Sequence, residues 1–183
     1  MITLLKFALI TLSAAAAWEG IIALQEQAVR RQKYDMATQY AIEVGKPLLV
    51  VGGPWGRNPL RSFFNIPAHG CGDLCLDTDP GACEGCKTVV ADVRNIPFPD
   101  LYFGAAMASH VLEHLQSIQD AVTAAGELYR VAEKVFILSP SKFSIAARLH
   151  YDHHLWVEQR GNAVYINPGP RYSGNEQPAV YVA

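Results

Sequence analysis

No excess of basic charge marks this chain of 183 residues: 15 lysines and arginines stand against 17 acids, with a pI near 6.3. A protein whose main work is gripping a phosphate backbone needs such an excess, so nucleic acid is excluded as the main substrate. Cysteine is missing from every part of the chain except one short window, Cys71 to Cys86. After the last strong strand pattern there is little chain left to build a substrate-binding cap. What is present is apolar: half of the residues are hydrophobic, enough for the full core of one domain plus an appendage.

Long apolar runs are confined to the N-terminus, where Met1 to Leu24 is interrupted only by Lys6, a few hydroxyls and Glu19. A helix crossing a hydrocarbon core needs roughly 20 such residues, so residues 1–24 read as a membrane anchor. A cleavable signal peptide ending at Ala14 to Ala17 and a plain amphipathic helix are the competing readings. Arg30, Arg31 and Lys33 follow, and the positive-inside tendency then places a single-pass protein with its C-terminal domain in the cytoplasm. Residues 25–46 read as a linker helix with Ala28, Met36, Tyr40 and Val44 turned inward, and residues 47–183 as the folded domain.

Within that domain the apolar runs are short and end in turn residues or acids, as buried parallel strands do. Pro47 to Val51 breaks into Gly52-Gly53-Pro54-Trp55-Gly56, Asp73 to Leu76 ends at Asp77, and Thr88 to Ala91 ends at Asp92. Tyr102 to Ala108 and Lys134 to Leu138 follow, separated by a helix from about Asp120 to Val131. The expected fold is α/β, a Rossmann-like three-layer arrangement with reduced helices. Arg57 to Gly70, with its prolines, leaves a short or distorted first crossover, and Pro80 to Lys87 must cross as a compact loop. A short helix around Phe143 to His150 and strands at Ala163 to Ile166 and Ala179 to Val182 complete the pattern.

Two segments in tandem, Ala91 to Asp100 (ADVRNIPFPD) and Ser109 to Leu115 (SHVLEHL), resemble the small-molecule branch of the class I S-adenosylmethionine-dependent methyltransferases. Glu127 to Val131 and the strand after it extend the resemblance to about half of the chain. The resemblance implies S-adenosylmethionine as cofactor and a small-molecule or lipid-like acceptor. It implies that Gly52, Gly53 and Gly56 form the cofactor loop, that Asp77 holds the ribose hydroxyls, and that Asp92 with the Val93 backbone receives the adenine. His110 and His114, four apart at the rim, are the candidates for a general base or for orienting the acceptor. Three positions depart from the family: Val50 stands where an acid is usual, Pro54 replaces a glycine, and Gly104 stands where aspartate usually follows the phenylalanine. Those departures suit a catalytically inactive binding or scaffold domain, the alternative to an enzyme.

Cys71, Cys75, Cys83 and Cys86 have the spacing C-x3-C-x7-C-x2-C. Four thiolates so placed suit a structural zinc, and Cys75 inside a strand suits a buried free thiol. Disulfides are the least expected state in a cytoplasmic protein. The segment Tyr151-Asp152-His153-His154, with His150 before it, forms a second polar cluster that reads as a substrate rim or, alternatively, a metal site.

Overall fold

The computed structural model describes residues 2–55, 61 and 63–183, without the side chains of residues 2–5 and 8. Five parallel strands form the central sheet: β1 (Leu48–Val51), β2 (Leu74–Asp77), β3 (Thr88–Val90), β4 (Phe103–Ser109) and β5 (Ala132–Leu138), in the order β3-β2-β1-β4-β5. Every residue of β1 and β4 is buried, which is why both read as unbroken apolar runs rather than as alternating patterns. The strand order reverses between β1 and β4, and in open sheets of this kind the crevice beyond the carboxyl ends at that reversal is where ligands bind.

One face of the sheet is covered by α1 (Ile2–Val44), a single continuous helix. Its C-terminus is closed by Gly45 at φ 67°, with Lys46 N donating to Ala41 O and Gly45 N to Ile42 O, a Schellman cap. The inward stripe is Arg30, Tyr34, Ala37, Ala41 and Val44, at helical spacing. Ala37 and Ala41 are buried against Leu48, Val50, Ala105, Met107 and Phe136. Of the expected inward residues, Tyr40 and Val44 do turn toward the domain, Tyr40 half-buried against this cluster, whereas Ala28 and Met36 are exposed and Ala37 and Ala41 hold the buried positions. Val50 belongs to this contact, so a buried packing position accounts for its lack of charge. Gly104 is explained in the same way. A Cβ there would lie 3.0 Å from Ala41 Cα and 2.6 Å from Val44 Cγ2, so only glycine lets the helix sit this close. Gly104→Ala is expected to cost about 1–3 kcal/mol of stability by overpacking; an unchanged urea midpoint would refute this account of the helix–sheet contact.

The membrane-anchor expectation is overturned. Among the described residues no helix is long and apolar enough to cross a membrane, because Lys6, Thr11, Ser13, Glu19 and a run of alanines dilute the apolar stretch. Two residues of the stretch are bonded to the domain. Trp18 Nε1 donates to Phe143 O, and Glu19 accepts from Ser144 Oγ (2.6 Å) and from the Ile145 and Ala146 amides. Those bonds keep the Glu19 carboxyl below its usual range. Arg30 is buried, and Lys33 Nζ donates to Ile137 O, so neither marks a membrane boundary. Phe7, Leu9, Ile10 and Leu12, nearer the N-terminus, are exposed.

The other face packs on α2 (Ile118–Val131). Ser117 caps this helix by accepting from the Asp120 amide, and Ala121, Ala124, Ala125, Leu128 and Val131 form its buried side. Beyond β5 lie α3 (Ile145–Leu149) and an antiparallel sheet of β6 (Leu155–Arg160), β7 (Ala163–Pro168) and β8 (Ala179–Val182). β7 and β8 match the expected strands, and β6 was not foreseen. Together they form a second sheet whose Leu155, Val157, Val164 and Ile166 join the α2 side of the core.

The loop between β2 and β3 contains a short 3-10 turn, Pro80–Cys83, and is tied by two disulfides, Cys71–Cys86 and Cys75–Cys83. This corrects the expectation of free thiols or zinc: with all four sulfurs joined in pairs, no thiolate remains there to ligate a metal. Sequence spacing ranks the states of four nearby cysteines poorly, because pairing depends on how the loop brings the β-carbons together.

Candidate active site: a histidine-lined cleft

Beyond the carboxyl ends of β1, β2 and β4 opens a cavity of about 1020 Å³. Its two halves differ in chemistry. One half is bounded by the β1 turn, Asp77 at the end of β2 and Asp92 after β3, and the other by His110, His114, His150 and His153.

In the first half, Asp77 is braced by backbone: Gly53 N donates to Oδ2 (3.1 Å) and Asp79 N to Oδ1 (2.9 Å). Each carboxylate oxygen retains a second lone pair, the equipment a vicinal diol requires. Asp79 itself caps the 3-10 turn by accepting from Gly81 N. Asp92 is clasped by the Arg94 side chain (2.6–3.1 Å), which holds its carboxyl below the usual range and ionised; Arg94 also reaches Asp120. Val93 is buried and packs into the core.

Gly52 and Gly53 line the cleft, and packing requires glycine at both. Gly52 has φ 86°, and a Cβ there would strike Ser109 O and Val111 Cγ2. A Cβ on Gly53 would lie 1.7 Å from Ala82 O, so that space is taken by the disulfide-tied loop. Gly56 lies outside the described residues.

The ADVRNIPFPD segment is held in place by Glu127 and Arg130 of α2. Arg130 donates to Ile96 O, Phe98 O, Asp100 and Glu127, while Glu127 accepts from Ile96 N. One arginine near the end of α2 therefore ties the Ala91–Asp100 stretch to Glu127.

In the second half, His110 and His114 both line the cleft, but a shared helical face does not put them there. His110 has φ 56°, and only Leu112–His114 turns, as one 3-10 turn. Arg30 Nη2 lies 2.5 Å from His110 Nε2, and burial of the ring followed by the Arg30 charge holds His110 neutral, well below its usual pKa. The accepting nitrogen is then Nε2, and Nδ1 lies 3.6 Å from Glu113 Oε1. Glu113 is almost wholly buried, and neither of its oxygens makes a hydrogen bond of ordinary geometry. Desolvation pushes its pKa up to about 8 against smaller opposing effects of Ser139 and Arg30. His69 and His153 are lowered to about 4, chiefly by burial.

Sequence reading passed over Arg30, His69 and the burial of Glu113. A signal existed for Arg30, an arginine four residues before Tyr34 and seven before Ala37 on the inward stripe of α1.

Residues 72–135 match the family model described as a methyltransferase domain. The two carboxylates of the first half, at the end of β2 and after β3, are acceptors that could hold the hydroxyl and amino groups of a nucleoside cofactor such as S-adenosylmethionine. No curated protein sequence matches the chain. Solved structures similar to the chain include a protein from Pyrococcus horikoshii, 14% identical over 67% of this chain and 63% of that one, TM-score 0.40. N-methyltransferase NodS from Bradyrhizobium japonicum, in complex with S-adenosylhomocysteine, is 15% identical over 55% and 56%, TM-score 0.36. The 1,6-didemethyltoxoflavin-N1-methyltransferase of Burkholderia thailandensis is 12% identical over 97% and 72%, TM-score 0.39. The chain spans less than two thirds of the length of the first two.

Proposed function

We propose that the chain transfers a methyl group from S-adenosylmethionine to a small-molecule acceptor. The observation that carries this reading is the pair Asp77 and Asp92 facing one cleft at the strand-order reversal, with room beside them for a second molecule. S-adenosylmethionine supplies an already activated methyl, so the protein has chiefly to position the acceptor in line and exclude water. Asp77 would accept the ribose hydroxyls while its backbone donors hold it still. Asp92, fixed by Arg94, would receive the adenine amino group beside the Val93 backbone, and Gly52 and Gly53 would shape the wall of the methionine end. The acceptor would lie toward His110 and His114. His110, held neutral with Nδ1–H as its donor, would orient a lone pair rather than present a charge.

A second reading, a non-catalytic binding domain of the same fold, has one specific observation behind it: Ala82 O fills the space above Gly53 that a cofactor loop normally leaves to its ligand. Calorimetric titration of S-adenosylmethionine and S-adenosylhomocysteine into the full chain separates the two. Micromolar binding, weakened at least about tenfold by Asp77→Ala through loss of a charged hydrogen-bond acceptor, is expected. Absence of heat with a folded protein would favour the non-catalytic domain.

A further inference from the structure

Methyl transfer leaves one feature of the cleft unused. His114, His150 and His153 each bring a ring nitrogen to within 4.8 Å of the other two. They come from separate stretches, one from the turn after β4 and two from the segment after α3, so the convergence is a product of the fold. Three imidazoles are a donor set for divalent metals of the zinc class, and three-histidine sites keep a further position for water or substrate. Around such an ion, with bonds of about 2.1 Å, the nitrogens would stand about 3.4 Å apart. Closing the trio therefore asks for inward movements of roughly 1 Å, within the reach of side-chain rotation.

The surroundings of the rings also resemble those of ligands. His153 Nδ1 lies 3.0 Å from Ala147 O and His114 Nδ1 lies 2.8 Å from Asp152 O, and bonds donated to carbonyls place the lone pair of each ring on Nε2. The Asp152 carboxylate adds a second contact, its Oδ2 3.3 Å from His114 Nδ1. A carboxylate and a carbonyl behind the non-ligating nitrogen are the usual outer partners that orient a metal-bound histidine and raise its basicity. His150 Nδ1 faces the Asp152 amide at 3.3 Å, a long contact that a small ring rotation would break. Burial is graded across the trio, from buried His153 through half-buried His114 to exposed His150, which leaves a way in from solvent. The disulfides remove the four cysteines as competing ligands.

We propose that His114, His150 and His153 form a binding site for a divalent transition-metal ion, zinc in the first place, with its open coordination position facing the cleft. The proposal stands apart from the methyl-transfer reading: the trio would bind the ion whether or not the other half of the cleft takes S-adenosylmethionine.

The test uses the untagged full chain, stripped with a chelator and kept oxidised, titrated with Co²⁺ under visible absorption and then with Zn²⁺. The expected result is one Co²⁺ per chain with the visible bands of a low-coordinate ion, displaced by Zn²⁺. His150→Ala, at an exposed ring the fold does not need, and His153→Ala should each weaken binding about tenfold or more, since each removes one of three donors. Far-UV circular dichroism of each variant separates a lost ligand from a lost fold, and if His153→Ala fails to fold, His150→Ala still decides. Absence of cobalt bands in the folded wild type, or unchanged affinity in His150→Ala, overturns the assignment.

Discussion

Replacing Cys71 and Cys86 by serine is expected to cost roughly 3 kcal/mol, and replacing Cys75 and Cys83 roughly 2.5 kcal/mol, from the chain entropy that loops of those lengths release on unfolding. The bridges span 15 and 8 residues and are nested, so removing both should cost less than the sum. The effect should be large because little else anchors this part of the chain. β3 is a three-residue edge strand, and a single 3-10 turn stands between it and β2 where a packed helix would ordinarily lie. Loss of the bridges should also reach the cleft. The Ala82 carbonyl rests on Gly53, and Trp55 Nε1 donates to Glu84 O, so the tied loop supports the wall beside Asp77. Urea unfolding of the two double-serine variants, and of the wild type with and without reductant, measures this. Midpoints that coincide in all cases would refute a structural role for the bridges.

Stability of the wild type is expected to pass through a maximum near pH 6.5, and Glu113→Gln should remove the decline on its alkaline side. Glu113 has a folded pKa of about 8, above its ordinary 4.5, so the folded state binds more protons than the unfolded between those values. Its contribution is therefore complete below pH 4.5 and is lost as pH rises through about 8. His69, His110 and His153 are shifted the other way, and their contributions are lost as pH falls below the ordinary histidine value of 6.5. Below pH 6.5 three histidines outweigh one carboxyl and stability rises with pH. Above it Glu113 acts alone among these groups, and the fall between pH 6.5 and 8 should be about 2 kcal/mol at the linkage slope of a single proton. Thermal or urea melts across this range, run with a chelator present, test the assignment. A Glu113→Gln variant that still loses stability above pH 6.5 would place the titrating group elsewhere.

Much of this cleft could be read from the sequence because its positions are local to strand ends. Pro47 to Val51, Asp73 to Leu76 and Thr88 to Ala91 are apolar runs ended by a turn or an acid, and burial on both faces leaves few other ways to fold them. Asp77 and Asp92 end two of those runs, and only the resemblance implied roles for them. The N-terminal segment was misread because its length of mostly apolar residues outweighed Lys6, Thr11, Ser13, Glu19 and the alanines, and because the partners of Trp18 and Glu19 lie at Phe143 and Ser144, far along the chain. Ala37 and Ala41 are covered by Leu48, Ala105 and Phe136, partners that no window along the chain contains. Tyr40 and Val44 were placed inward correctly, but Ala37 and Ala41 rather than Ala28 and Met36 are buried with them, because the close approach at Gly104 selects small residues. β6 went unseen because only Leu155 and Val157 of its six residues are buried, too few to show an alternating pattern. Arg30 looked like a membrane flank, and its place beside His110 depends on a contact across 80 residues.

The long first helix also bears on the order in which the chain is made. α1 leaves the ribosome before any of its partners exist: the nearest in sequence, Leu48 and Val50, come a few residues later, but Ala105, Met107 and Phe136 come last. Its Ala37–Ala41 stripe, together with Trp18 and Glu19, whose partners are Phe143 and Ser144, must therefore wait through most of synthesis without its permanent cover. Contacts this distant in sequence close late and slow folding, so the nascent chain carries an uncovered helix until β5 and the segment after it emerge.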